Sequence, residues 1–143
     1  MTSQSAILLG PEREAAVSEA LATASRHWRE AFILDPALVP VSVIHASYYA
    51  MFHLARAILL SETGNCPYRH LSVARELARL LEKNSDPAAH SVVIAFETTQ
   101  ALREACDYDP ILAPNEAEAH KVVNSLRAQI ELAKVHFHLK CEI

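Results

Sequence analysis

The stretch from Leu38 to Leu60 is the longest apolar run in the chain, and more than any other feature it limits what the chain can fold into. His45, His53 and Arg56 interrupt it. A charged residue at a bilayer centre costs about 2.5 to 3.5 kcal/mol on insertion scales, so the run reads as a buried core helix of a soluble protein and not as a membrane span. Such a helix needs other elements to cover it.

The chain has the resources to do so. Of its 143 residues, 51% are hydrophobic and 21% charged, which suits one compact domain spanning 1–143, with residues 1–10 expected to be flexible. Only two glycines and seven prolines occur, and nearly all fall between segments of helical periodicity. Pro11 opens a first helix in which Ala16, Ala20, Ala24, Trp28 and Phe32 recur at helical spacing until Asp35-Pro36. Trp28 reads as a core or dimer contact. Pro40 suits the first turn of a second helix, and Gly64 the left-handed residue past its end near Thr63.

A third helix is expected from about Tyr68 to Lys83, with Leu71, Ala74, Leu77, Ala78 and Leu81 on one face. Asp86-Pro87 caps a fourth, running through Val93, Phe96, Gln100 and Arg103 to about Asp107. Asn115 with Glu118 forms a capping box that opens a fifth, through Val122, Leu126, Ile130, Ala133 and Phe137. Short connections make neighbouring helices antiparallel, so the expected fold is all-α, an up-and-down bundle of about five helices.

Net charge is -4 with the histidines neutral, which excludes the broad positive field of strong, sequence-independent nucleic-acid binders. Any polyanion must meet a local patch. Cys66, Cys106 and Cys141 are odd in number and never in a Cys-x-x-Cys pair, so neither a disulfide framework nor a zinc knuckle is expected, and a reducing cytoplasm is the simplest home. The N-terminal apolar run is too short for a signal-peptide core.

Chemistry is concentrated in the second helix. At 100° per residue, His45, Tyr49, His53 and Arg56 fall within about 80° of one another and form one polar stripe. A stripe of this kind lines a site, crosses an interface or feeds hydrogen bonds to neighbouring helices. On the fourth helix, Thr99, Arg103 and Asp107 stack at intervals of four, so Arg103 and Asp107 can pair. Arg69, His70, Arg75 and Arg79 give the third helix a modestly basic face. His136 and His138 project about 200° apart on a helix and make no natural chelate, so no metal site is expected; no glycine-rich phosphate loop suggests nucleotide hydrolysis, and no cofactor is expected.

Three separated motifs, the run A-S-Y-Y-A-M-F-H-L-A-R-A-I-L (46–59), His70 and R-E-A-C-D-Y-D-P (103–110), together resemble the HEPN superfamily. More narrowly, the chain is similar to the small prokaryotic HEPN proteins paired with minimal nucleotidyltransferases, over about residues 10 to 140. The resemblance implies a helical bundle, usually a homodimer, in which the fourth-helix motifs of two subunits form one cleft. Active members resemble metal-independent endoribonucleases that act on RNA as toxins or in defence, using an arginine and a histidine four to six residues later. A nucleotidyltransferase-type antitoxin is the partner implied.

That pairing has a chemical reason. A 2′-hydroxyl attacking its own phosphodiester must lose a proton, the leaving oxygen must gain one, and the added negative charge must be stabilised. Histidine serves the proton transfers near neutrality, and arginine supplies fixed charge in a planar fork. Here Arg103 is followed four residues on by Asp107 and then Tyr108, where active members show histidine. Beside Arg103, Asp107 is a weak base at pH 7, and an unperturbed Tyr108 is protonated.

The catalytic candidates are therefore Arg103, Asp107, Tyr108 and a borrowed His53, with His45, Tyr49, Arg56 and His70 as binding candidates. The alternative is a catalytically lapsed module that binds RNA, a nucleotide or a nucleotidyltransferase without turnover. A purely structural role for the stripe also stays open.

Overall fold

A computed structural model of the protein describes residues 7–67, 69–84, 87, 89–108 and 114–142, with the backbone alone at 70, 71, 89, 107 and 108. Among the described residues there are five helices: α1 (Gly10–Ile33), α2 (Pro40–Thr63), α3 (His70–Lys83), α4 (Ala89–Tyr108) and α5 (Glu116–Val135). No strand occurs among the described residues.

Helix α2 is the axis of the bundle, because its sequence is apolar on almost every side. All four other helices pack against it. Its Val43, Ile44, Tyr48, Met51, Leu54 and Ile58 are completely or almost completely buried, and Ala46, Ala50 and Ala57 sit between them. This helix is long and apolar enough to cross a membrane by length and composition, yet 78% of its most apolar window is covered by the rest of the protein. Its ends follow local chemistry. Pro40 occupies the first turn, and Gly64 ends the helix at φ 72 with its N–H donating to the Leu60 carbonyl.

Helix α1 makes the most extensive contact with α2. Ala20, Ala24 and Ala31 are buried where the two meet, and small side chains let helix axes approach closely. Arg13 ties the start of α1 to the end of α2 by donating to the carbonyls of Leu60 (2.9 Å) and Ser61. Trp28 is 1% exposed and donates from its indole nitrogen to the Glu142 carbonyl at 3.1 Å, so it belongs to the core of one chain and is not a dimer contact.

Val73, Ala74, Leu77 and Leu81 of α3 and Val92, Val93, Phe96 and Thr99 of α4 complete one side of the core. Thr99 turns its hydroxyl back to the Ala95 carbonyl of its own helix, 2.7 Å away. Helix α5 begins with the expected capping box, in which Asn115 and Glu118 each accept from the other's backbone N–H. It stops at Val135, two residues before the expected Phe137. His138 adopts a left-handed conformation (φ 55) that turns the chain so that Leu139 N–H reaches the Ala133 carbonyl. Phe137 is buried all the same, from the tail.

Several expectations concern residues outside those described: the start of α3 at Tyr68, the Asp86 cap and residues 109–113. Of the stretch 1–10 the first six lie there too, while Leu8 donates to the Gly64 carbonyl at 2.8 Å.

The arrangement leaves one feature that matters for function. Helices α1 and α4 both pack on α2 but, among the described residues, not on each other. The half-buried polar stripe of α2 meets both, Tyr49 touching Arg103 of α4 and His27 of α1, and we take the strip between the two helices as a groove.

Candidate functional site

Arg103 reaches this groove from α4. Its Nη1 donates to the Tyr49 hydroxyl at 3.0 Å. The guanidinium carbon lies 4.9 Å from the centre of the Tyr48 ring and 5.5 Å from that of Tyr49. At these distances the negative face of each ring attracts the cation. Arg103 is thereby fixed against α2 by a hydrogen bond and two aromatic contacts. Its Nε is buried and has no hydrogen-bond partner among the described residues. A donor left over on a buried stretch of a cation calls for an acceptor.

Tyr48 is fully buried, beside Phe96. Burial raises its pKa to about 12, against the opposing pull of Arg103, so the phenol stays protonated and supplies a ring face and not a base. Tyr49 is half-buried and continues the floor.

Against Tyr49 also stands His27, from α1. Its ring centre lies 5.6 Å from that of Tyr49 and 5.7 Å from that of His53, and the two imidazole planes are parallel within 5°. Burial lowers the pKa of His27 below its ordinary 6.5, with Glu30 opposing and Arg26 adding to the effect. His27 is therefore chiefly neutral at pH 7.

His53 in turn meets Arg56, whose Nη1 lies 3.3 Å from His53 Nδ1. A guanidinium can only donate, so Nδ1 accepts, and the neutral ring carries its proton on Nε2. Arg56 also lies against Cys66, whose thiol is pushed up by burial while Arg56 acts in the opposite sense.

The fold thus assembles Arg103, Tyr49, His53 and Arg56 of the expected residues into one continuous row. His45 lies on the same face of α2 nearer its start, with Nε2 buried and lacking a partner among the described residues. His70 opens α3 and Asp107 and Tyr108 close α4, but their side chains lie outside the described residues. The basic face of α3 is partly neutralised, since Arg79 pairs with Glu76 at 2.6 Å. His136 and His138 are exposed.

Two members of the row were not picked out from the sequence. Tyr48 hides among the core residues of α2. His27 sits one residue before Trp28, three after Ala24 and four before Ala31, a spacing that puts it at the edge of the buried face of α1. Helical geometry alone could have marked that position as half-buried, but not what it faces.

Cavities of about 290, 710 and 240 Å³ lie elsewhere on the molecule, the last touching the row only at Arg56. No group of three metal-ligating side chains occurs among the described residues.

Residues 37–136 match the HEPN domain family, which covers α2 to α5 and all of the row except His27. The chain belongs to the HEPN family. No curated protein and no solved structure gives a significant match. In this HEPN protein the helix carrying Arg103 is therefore within the family's shared part, and α1, with His27, precedes it.

Proposed function

We propose that this HEPN protein acts on RNA, holding a backbone phosphate on Arg103 in the groove between α1 and α4, and that it cleaves by attack of the neighbouring 2′-hydroxyl without a metal ion. The observation that carries this reading is the docking of Arg103 on Tyr48 and Tyr49, with Nε left over. A guanidinium held in place in this way grips an oxyanion without first having to be ordered, and its charge opposes the negative charge that builds on the phosphate oxygens during attack. Half-buried Tyr49 and His53 offer ring faces on which unpaired bases stack. An acidic chain fits this use, because the positive charge is local and not spread over the surface.

In the same reading the protein works in the cytoplasm as a homodimer whose second copy closes the groove, as the toxin of a pair with a nucleotidyltransferase-type antitoxin. The test is direct. Full-length protein incubated with single-stranded RNA in EDTA should cleave it, and Arg103→Ala should abolish cleavage while leaving the fold intact. Cleavage that persists at the wild-type rate in Arg103→Ala would remove the groove from the reaction.

A second reading is favoured by one observation, Asp107 at the position where active members carry histidine. The module then binds RNA, a nucleotide or its nucleotidyltransferase partner without turnover. Arg103-dependent binding with no cleavage would select this reading, and Asp107→His would then be expected to create activity.

A further inference from the structure

His27 stands where the groove needs a proton acceptor, and it comes from the one helix that the family's shared region does not include. We propose that His27 is the catalytic base of this protein, taking the role of the histidine that its Arg103 motif lacks. The inference rests on the reading that the groove cleaves RNA.

Three observations single out His27 among the candidates. The first is position: Arg103 from α4 and His27 from α1 both lie against Tyr49, with the guanidinium carbon 5.5 Å and the imidazole centre 5.6 Å from the centre of that ring. A phosphodiester on Arg103 and the adjoining ribose can bridge two groups so placed, putting the 2′-oxygen within the roughly 2.6 to 3.2 Å that a general base requires.

The second is the state of the alternatives. The Nδ1 lone pair of His53 is taken by Arg56, and its Nε2 carries the proton, so in this geometry neither nitrogen can accept another. Tyr48 is buried and protonated. Asp107, in the motif position, is an ordinary carboxylate by type and far too weak a base to compete with an imidazole near neutrality.

The third is the charge environment. His27 faces Tyr49, His53 and, beyond them, Arg56 on α2; Arg103 of α4 also lies against Tyr49; Glu30 and Arg26 flank it on its own helix. Burial, with a smaller push from Arg26, outweighs Glu30, and the ring is kept chiefly unprotonated and ready to accept.

The step balances. The bond from the 2′-oxygen to phosphorus forms while the 2′-proton passes to a ring nitrogen of His27. The bond from phosphorus to the 5′-oxygen breaks, and that oxygen takes a proton from a solvent water. The hydroxide left behind recovers the proton from the His27 imidazolium. The products are a 2′,3′-cyclic phosphate and a 5′-hydroxyl, with nothing oxidised or reduced and no net water consumed. Arg103 stabilises the charge on the phosphorane throughout.

The experiment follows single-turnover cleavage of a single-stranded RNA oligonucleotide by the full chain in EDTA, from pH 5 to 9, with binding read separately by fluorescence anisotropy. Wild-type rates should rise with pH along a limb centred below the ordinary histidine value and end in cyclic-phosphate product. His27→Gln should bind RNA as before but cleave about 100-fold more slowly and lose that limb, a loss typical of a removed general base. His27→Ala should regain part of its rate when imidazole is added to the buffer, which no structural role for His27 would produce, and His27→Asn serves if either variant melts early.

If Arg103→Ala is inactive while His27→Gln keeps both its rate and its limb, the assignment of His27 is wrong and the groove is still the site. If wild-type protein binds RNA through Arg103 but never cleaves it, the cleavage reading fails and His27 as base fails with it.

Discussion

Tyr49→Phe, combined with Arg103→Ala in a double-mutant cycle, tests whether the groove exists in solution as a linked unit. The first change removes one oxygen and keeps the ring, so it deletes the 3.0 Å hydrogen bond from Arg103 while leaving the guanidinium over both aromatic faces. A hydrogen bond to a charged group contributes about 1.5 to 3 kcal/mol when buried. This one is only part-buried, so water can partly replace the lost hydroxyl, and the expected destabilisation by Tyr49→Phe is about 1 to 1.5 kcal/mol. In the Arg103→Ala background the same change should cost about 1 kcal/mol less. The coupling energy should therefore be about 1 kcal/mol, well above the additivity error for residues that do not interact. Urea unfolding followed by far-ultraviolet circular dichroism measures all four corners. Equal costs of Tyr49→Phe with and without Arg103 would refute the docking of α4 on this part of α2, and with it the phosphate site.

Other parts of the structure make shorter predictions. Below pH 6.5 the unfolded chain takes up a proton on His27 more readily than the folded one, so the His27 contribution to stability is present above that pH and is lost as pH falls through its lowered folded value; His27→Gln should flatten this part of the stability profile in urea melts. Gly64→Ala should lower stability by at least about 1 to 2 kcal/mol, since φ is 72 and the new Cβ would meet the Leu8 carbonyl oxygen at 2.5 Å; an unchanged thermal midpoint would argue against that turn. Trp28→Ala, which empties a fully buried site and removes the bond to Glu142, should cost about 3 to 5 kcal/mol in the same urea assay. Cys66 and Cys141, both buried and both with raised pKa, should react with a thiol reagent in the folded protein far more slowly than after denaturation.

The ends of the helices were legible because they depend on neighbours in the chain. Pro40, Gly64 and the Asn115–Glu118 box each act within one turn, and each does what its residue type dictates. The exception, Phe137, is instructive. Its apolar spacing continues that of α5, but the tail folds back through a left-handed His138, and burial was achieved without the helix. The stripe on α2 was legible for a similar reason, since 3.6 residues per turn assigns His45, Tyr49, His53 and Arg56 to one face whatever surrounds it.

What meets that face was not legible. The Arg103–Tyr49 bond joins residues 54 apart, and the ring contact of His27 with His53 joins two different helices, α1 and α2. The grouping of Arg103 with Asp107 at helical spacing drew attention to a neighbour on the same helix, whereas the contacts that hold the guanidinium come from α2.

The order of apolar and polar residues thus determined on its own that this chain is an all-α bundle with α2 at its centre and one polar face on that helix. Only the packed structure decided that α1 and α4 stand apart over that face and deliver His27 and Arg103 to it. Periodicity is a property of the backbone within each helix, while the meeting of side chains across helices depends on how closely and at what angle their surfaces interlock.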